Sequence, residues 1–325
     1  MAGTAGGAPA IGDFFVCDFA DVAHKHDLAS MEHPIFSLST RPDRRILSYQ
    51  HNDVHLTVTP SVRGRATIFD ADILIFCISQ LMAALNAGQA VNRRLTLTAH
   101  DLLLATGRET SGDSYRRLKE AFERLAGTRI TTNIQTGEAD ITQGFGLIES
   151  WEIVRKTRAG RMVSVSVTLS EWLYQAVLSR NVLTLSRDYF RMRKPLERRI
   201  YELARKHCGS QPRWRVSVET LCKKSGSASP RRVFRAMLRE IIARQSLPDY
   251  HLEEDLGDMI EITPIAPVLE PFGRPLKPET LEEARVLMPG ADIYALEAEW
   301  RAFAARTPPR APDAAFLGWV KKRKG

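Results

Sequence analysis

Residues 95–107 read Leu-Thr-Leu-Thr-Ala-His-Asp-Leu-Leu-Leu-Ala-Thr-Gly, and this stretch has a counterpart at 214–226. The counterpart reads Trp-Arg-Val-Ser-Val-Glu-Thr-Leu-Cys-Lys-Lys-Ser-Gly, so apolar residues, a hydroxyl residue and the final glycine recur at an offset of about 119. After a polar loop, each copy continues into an amphipathic stretch, at 115–125 and at 231–241. A strand, a short helix ending at glycine and a second helix is the order of a winged helix-turn-helix. The repeat therefore predicts two DNA-binding lobes.

The charge of the chain favours a polyanionic partner. The net charge is +8 and the isoelectric point is about 9.4, which makes nucleic acid the commonest candidate. Between residues 187 and 249, which include the second copy, 17 Lys and Arg residues stand against 6 Asp and Glu residues. The acidic residues cluster directly afterwards, at Glu253, Glu254, Asp255, Asp258 and Glu261. We therefore expect double-stranded DNA as the partner, contacted mainly by the second copy.

Cysteine usage and hydropathy predict a reduced cytoplasmic setting. The four cysteines have no Cys-x-x-Cys spacing, which argues against a structural zinc site. The N-terminal ten residues lack the basic and apolar regions of a secretory signal. No apolar run approaches the roughly 18 residues that a membrane span requires. We expect a DNA-associated protein with no membrane partner.

The pattern along the chain predicts an α+β protein with two tandem winged helix-turn-helix domains and a small helical C-terminal extension. A helix at about 70–86 precedes the first copy, and a helix at 195–206 holds the same place before the second. Alternating strands follow each helix pair, where a wing belongs. The expected divisions are an N-terminal tail at 1–44, domain 1 at 45–169, domain 2 at 170–265, a proline-rich linker at 266–279 and the extension at 280–325.

The helix after Ser229 is the best candidate for a recognition helix. At 100° per residue its arginines share one sector, and its apolar residues lie on the far side. Guanidinium groups pair with phosphates and read guanine edges bidentately. A solvated basic face is the alternative interpretation, but the position after a short helix, a glycine and a polar loop favours DNA. The candidate DNA-binding residues here are Arg231, Arg232, Arg235, Arg239, Lys223, Lys224, Ser227 and Ser229.

The first copy carries a weaker version of this face. The matching positions are Tyr115, Arg116, Lys119 and Glu123, of which the first three are candidate DNA contacts. One position is acidic, so this helix either contacts fewer phosphates or is used partly for protein contacts. The second copy is therefore expected to be the main sequence reader.

Enzyme signatures are nearly absent from the sequence. There is no Gly-x-x-x-x-Gly-Lys-Ser/Thr loop for nucleotide hydrolysis. His24-Lys-His26 superficially resembles the two-histidine metal motif of rolling-circle nucleases, but lysine replaces the apolar residue between the histidines, and no strand pattern surrounds them. We expect no catalytic residue, no metal and no cofactor.

Three further segments carry a family resemblance over about residues 14–265. They are Arg-Arg-Ile-Leu-Ser-Tyr at 44–49, the stretch at 58–76 that includes Ile-Phe-Asp-Ala-Asp-Ile, and Lys-Pro-Leu-Glu-Arg-Arg-Ile-Tyr-Glu-Leu-Ala at 194–204. In combination they resemble plasmid replication initiators of the replication initiator protein A type, relatives of the iteron-binding initiators with tandem winged helices. The resemblance implies a protein that binds repeated origin sites, helps open the duplex and recruits host replication proteins such as the replicative helicase or the chromosomal initiator. It also implies a homodimer in equilibrium with monomer, a dimer that represses its own gene, and dimer contacts in the first domain.

Two alternatives stay open at this point. A winged-helix transcriptional regulator would have the same DNA chemistry. An origin-nicking nuclease would require a metal site at His24 and His26.

Overall fold

The computed structural model describes residues 14–17, 22–133, 142–155, 162–209, 211–255, 257–265, 276–288, 291, 293–304, 309 and 311–324. The predicted linker lies mostly outside these ranges, as do the first thirteen residues. Within the described residues, no helix is both long and apolar enough to span a bilayer.

Helices and strands are interspersed up to residue 264, and three helices follow within the described ranges, which confirms the mixed α+β class. The elements as far as the second copy are β1 Phe15–Val16, β2 Lys25–Asp27, α1 Leu28–Glu32, β3 Leu47–His51, β4 Val54–Thr59, α2 Ala71–Asn86, β5 Arg94–Leu97, α3 Ala99–Ala105, α4 Gly112–Gly127, β6 Arg129–Thr132, β7 Gln143–Gly146, β8 Ile148–Arg155, β9 Met162–Leu169, α5 Glu171–Leu178, β10 Val182–Thr184 and α6 Pro195–Cys208. The remainder are β11 Trp214–Ser217, α7 Val218–Ser225, α8 Arg231–Arg244, β12 Tyr250–Asp255, β13 Met259–Pro264, α9 Pro278–Leu287, α10 Ile293–Ala304 and α11 Pro312–Lys324.

The two sequence copies fold into units with the same topology. The first repeat unit consists of β5, α3, α4 and the hairpin β8–β9, and the second consists of β11, α7, α8 and the hairpin β12–β13. In each unit the first strand pairs antiparallel with the second strand of the hairpin, giving the orders β5-β9-β8 and β11-β13-β12. α2 and α6 precede the two units at equivalent places and pack on α3 and α7.

Local signals in the sequence explain why both units fold alike. Thr98 and Ser217 occupy aligned N-cap positions, and each hydroxyl accepts a hydrogen bond from a backbone N–H three residues later. Gly107 and Gly226 have φ of +64° and +67°, a conformation that favours glycine. At Gly226 an added Cβ would also lie 2.6 Å from Cβ of Pro34, so no larger residue fits there.

The strand after α4 does not join the first hairpin, contrary to the expectation from sequence. β6 and β7 extend a separate antiparallel sheet with the order β3-β4-β6-β7. The hairpin of the first repeat unit is formed by β8 and β9 instead. The strand pattern itself is correct, but alternation of apolar residues does not identify the partner strand.

Residues 25–43, which the sequence placed in an N-terminal tail with short local structure, pack into the fold. β2 pairs antiparallel with β10, and α1 packs on α6. Met31, Ile35 and Phe36 are buried, and Ile35 and Phe36 belong to the apolar core of the first repeat unit. The elements here are only three to five residues long, too short to produce a periodic pattern in the sequence.

Three apolar cores organise the described residues. The first includes α2 and the first repeat unit, and it also includes Leu173 and Val177 of α5. α5 therefore packs with the first unit, although residue 170 was expected to start the second domain. The second core lies between α6 and the second repeat unit. The third joins α9, α10 and α11 around Trp300 and Phe316, whose ring centroids are 5.4 Å apart.

Candidate nucleic-acid interface

α8 separates its apolar and basic faces as the sequence predicts. Phe234, Leu238 and Ile241 are buried in the second core. Arg231, Arg232 and Arg239 are exposed, and Arg235 is partly buried. Ser229 does not cap the helix, because the N-cap is Pro230 and no side chain accepts a hydrogen bond there.

Three of the four arginines pair with the acidic hairpin β12–β13. Asp258 forms ion pairs with both Arg231 and Arg235. Glu254 accepts two hydrogen bonds from Arg239, at 2.6 Å from Nε and 3.0 Å from Nη2. Hydrogen bonding from Arg239 lowers the pKa of Glu254. The acidic segment therefore lies against α8 and neutralises most of its arginine face.

Arg232 stands apart from this network. Its side chain is exposed, and it forms no ion pair with any residue in the described ranges. It is therefore the arginine of α8 that reaches solvent with its charge uncompensated.

The candidate residues at the turn before α8 differ in their exposure and in their partners. Lys223 is exposed and pairs with Glu219 at 2.8 Å. Lys224 is buried and pairs with Glu32 of α1, so the structure does not bring this predicted phosphate contact to the surface. Ser227 accepts a hydrogen bond from the Ser229 backbone N–H.

The matching face of α4 is electrically balanced. Tyr115 packs against the first core rather than lying free on the surface. Arg116 pairs with Asp113 at 2.5 Å and with Glu120 at 2.7 Å, while Lys119 lies 3.8 Å from Glu123. The predicted difference in charge between the two helices is present, but both faces are largely neutralised within the protein.

Sequence reasoning missed a buried ion pair between the two halves of the chain. Arg198 of α6 donates from Nη1 to Oδ1 of Asp72 in α2 at 2.6 Å, and both side chains are 1% exposed. The guanidinium also donates to the carbonyls of Met192 and Phe190 and lies 4.6 Å from the ring centroid of Phe69. The equivalent helices of the two repeat units are thus joined directly. The signal in the sequence was a pair of adjacent arginines within a helix that also carries Leu196, Ile200 and Leu203.

The next residue, Arg199, fixes the N-terminal segment to the second repeat unit. Its guanidinium donates to the carbonyls of Ser30, Met31 and Glu32 at the end of α1, and to the carbonyl of Lys224 at the end of α7. Carbonyl groups at helix C-termini carry partial negative charge and lack intrahelical partners, so a guanidinium satisfies them well.

His33 should make the protein sensitive to mild acid. Burial lowers its pKa from 6.5 to about 4, so the folded protein holds the ring neutral while the unfolded chain protonates it. Stability is then lost as pH falls from 6.5 to 4, by about 3 kcal/mol in total. We expect His33→Phe, which retains ring packing on Tyr49, to flatten the pH dependence of the urea midpoint in this window. His100→Gln, at an exposed site, should leave that dependence unchanged; an equal change in both variants would contradict the assignment.

The two histidines of the nuclease alternative do not form a shared site. His24 directly precedes β2 and His26 lies on it, where no strand was expected from sequence. The His24 ring packs on Phe190 with centroids 4.5 Å apart, whereas His26 is completely buried near Asp27 and Glu202. Among the described residues, no group of three or more His, Cys, Asp or Glu side chains is arranged to hold a metal.

Comparisons with known proteins agree with this architecture. A protein of Wigglesworthia glossinidia brevipalpis, whose name assigns it provisionally to replication, is 38% identical over 250 residues, covering 76% of this chain and 90% of that protein. A crystal structure of domains 2 and 3 of RctB superposes with a TM-score of 0.56 at 13% identity, covering 74% of this chain and 98% of that one. The second likeness concerns the fold alone.

The family comparison covers both repeat units up to β12. Replication initiator protein A matches residues 25–252, a range that includes α1, the buried Asp72–Arg198 pair and the arginine helix α8. With this match over more than half of its length, the chain belongs to the replication initiator protein A family.

Proposed function

We propose that this protein initiates plasmid replication by binding repeated double-stranded DNA sites at the origin through two tandem winged helix-turn-helix units. The observation that carries the proposal is α8, an amphipathic helix that follows a short helix and a left-handed glycine and presents Arg232 to solvent. Membership of an initiator family supplies the biological context.

The equivalence of the two units supports a bipartite footprint. Each unit presents its second helix after the same turn, and the buried Arg198–Asp72 pair joins the helices behind them. We expect α4 and α8 to lie in successive major grooves on one side of the duplex, spanning about two helical turns. Ala236, one turn after Arg232, and Ala243, three turns after it, are exposed on the same face of α8, and small side chains there allow close approach to the groove.

The finer steps of initiation are part of the same proposal. Bound protein would help open the origin and recruit host replication proteins, such as the replicative helicase or the chromosomal initiator. The positive charges on α4 are balanced by carboxylates, which suits a unit that also contacts protein. One such contact would be with a second copy of the chain, in a homodimer that exchanges with monomer. A dimer bound at its own promoter would repress the gene.

The decisive binding test concerns Arg232. Arg232→Ala should weaken binding to duplexes from the DNA flanking the gene by about 1–3 kcal/mol, the usual value of one good bidentate base contact. The matched control is Arg244→Ala on the same helix, which removes an exposed arginine already paired with Glu240 at 2.7 Å. Fluorescence anisotropy with specific and scrambled duplexes measures both; equal affinities for wild type and Arg232→Ala would reject the assignment of α8.

A replication assay separates the initiator from the alternatives. The protein supplied in trans should sustain a reporter plasmid that carries only the flanking DNA. A transcriptional regulator would repress a reporter gene without supporting replication. A nicking nuclease would convert supercoiled origin DNA to open circles in the presence of a divalent metal, which the buried position of His26 argues against.

A further inference from the structure

A loop from the N-terminal segment separates the two helices proposed to bind DNA. Residues 37–45, called the interlobe loop below, have a cavity on either side. On one side, residues 39–42 and α4 line a cavity of about 840 Å³. On the other side, residues 37–39 and α8 line a cavity of about 420 Å³. The loop therefore lies between α4 and α8, and Ser39 borders both cavities.

The interlobe loop is held in place by a buried carboxylate. Asp43 is 6% exposed and accepts hydrogen bonds from Ser37 Oγ, from Arg45 and from Arg65, which is itself buried. Hydrogen bonding from Arg45 is the chief reason that the pKa of Asp43 falls to about 2. At Gly64 an added Cβ would lie 2.9 Å from the Asp43 backbone nitrogen, so the backbone packs closely there. A loop built in this way presents its outer residues in a defined position.

Arg41 is the residue through which the interlobe loop could contact a polyanion. Its side chain is exposed and borders the larger cavity, and it forms no ion pair with any residue in the described part of the chain. Three other exposed arginines that border this cavity are paired with carboxylates, since Arg63 pairs with Glu123 and both Arg116 and Arg117 pair with Asp113. Arg193, which also borders it, donates to the carbonyl of Gly107 at 3.2 Å. Its backbone N–H, that of Arg41, donates to Ser39 Oγ at 3.1 Å. The interlobe loop, which lies between the two proposed recognition helices, thus carries a guanidinium that has no ion pair within the described residues.

Duplex geometry defines what lies opposite this position. Two helices in successive major grooves on one face of B-DNA have the intervening minor groove between them. Narrow, A·T-rich minor grooves carry enhanced negative potential and attract arginine side chains. We propose that Arg41, held by the interlobe loop between α4 and α8, inserts into the minor groove between the two major-groove contacts and reads its A·T content and width. This inference rests on the proposed function, since it requires both helices to bind one duplex.

The test uses a duplex that wild-type protein selects from a random library, with the protected major grooves located by footprinting. The central base pairs between them are then changed to A·T, G·C or inosine·cytosine. An inosine·cytosine pair presents the minor groove of A·T and the major groove of G·C, so it isolates minor-groove readout. Wild-type protein should bind the G·C duplex about tenfold more weakly than the A·T duplex, which is within the usual effect of one unfavourable base pair. The inosine·cytosine duplex should restore binding.

Two variants complete the experiment. Arg41→Ala should bind the A·T duplex about tenfold more weakly than wild type and should lose the difference among the three duplexes. Arg44→Ala removes an exposed arginine of the same loop that borders neither cavity, and it should behave as wild type. If Arg41→Ala keeps wild-type affinity and central-base dependence while Arg232→Ala loses affinity, this inference is overturned and the proposed function stands. If Arg232→Ala also binds normally, both fail.

Discussion

Arg198→Met is expected to lower the free energy of unfolding by about 3–5 kcal/mol, because it leaves the buried Asp72 carboxylate without its main partner. Within the described part of the chain, the remaining cationic partner of Asp72 is Arg108, whose side chain is 22% exposed and reaches it at 2.9 Å. The carbonyls of Met192 and Phe190 also lose their donor, and unsatisfied buried acceptors are costly. Methionine restores most of the apolar volume, so the loss reports on charge and hydrogen bonding rather than on a cavity.

Urea unfolding followed by tryptophan fluorescence measures the effect. Arg191→Met is the matched control, because Arg191 is 84% exposed and pairs with Asp188 on the surface, where an ion pair contributes about 0–1 kcal/mol. Adding Asp72→Asn to Arg198→Met should recover part of the loss, since the buried charge is then removed together with its partner. A loss below about 1 kcal/mol in Arg198→Met would show that the pair does not hold the two halves together.

The Asp72–Arg198 pair also determines how the two halves of the chain are placed relative to each other. α2 and α6 are equivalent helices, each packed behind its repeat unit, and the Asp72–Arg198 pair fixes one helix against the other. If α4 and α8 lie in successive grooves as proposed, their separation must match the helical repeat of DNA. A directional, hydrogen-bonded pair specifies that separation more strictly than an apolar contact, which permits sliding. We therefore expect Arg198→Met to reduce DNA affinity as well, even at temperatures where the protein stays folded.

The order of strands and helices in both repeat units could be predicted from sequence because the signals are local. Capping by Thr98 and Ser217, together with the glycines that end α3 and α7, lies within a few residues of the structure it determines. The same is true of the division of α8 into an apolar and a basic face. Because the pattern occurs twice at a constant spacing, it supports the prediction of a winged helix-turn-helix more strongly than either copy does alone.

The missed features depend on contacts between distant residues. The pairing of β6 with β4, the insertion of α1 against α6 and the Asp72–Arg198 pair join residues tens to more than a hundred positions apart. The acidic cluster after α8 was visible in the sequence, but its role depends on how the hairpin folds back. Residue composition alone could not indicate that Asp258 contacts both Arg231 and Arg235.

Asp258→Asn is expected to strengthen binding to duplex DNA of any sequence, because it frees Arg231 and Arg235 to contact phosphates. Each new phosphate contact steepens the dependence of log affinity on log salt by about 0.9, so two contacts add about 1.8. The variant should therefore lose about tenfold more affinity than wild type between 50 and 200 mM salt. Asp258 has φ of +67°, and asparagine tolerates this conformation, so the hairpin backbone should be preserved.

The ratio of specific to non-specific affinity should stay nearly constant. In the proposed complex, DNA phosphates compete with the carboxylates of Asp258 and Glu254 for the same guanidiniums, which penalises every duplex equally. Base contacts, which set the preference for the selected site, are not altered by this substitution. Asp258→Asn should thus raise the affinity for scrambled duplex and for the selected site by similar factors. Glu253→Gln makes the same charge change in the same hairpin but contacts His251 rather than an arginine, and it should leave both affinities unchanged. Weaker binding by Asp258→Asn would instead mean that the carboxylate orients Arg231 and Arg235 for DNA, with the hairpin serving as a support rather than a competitor.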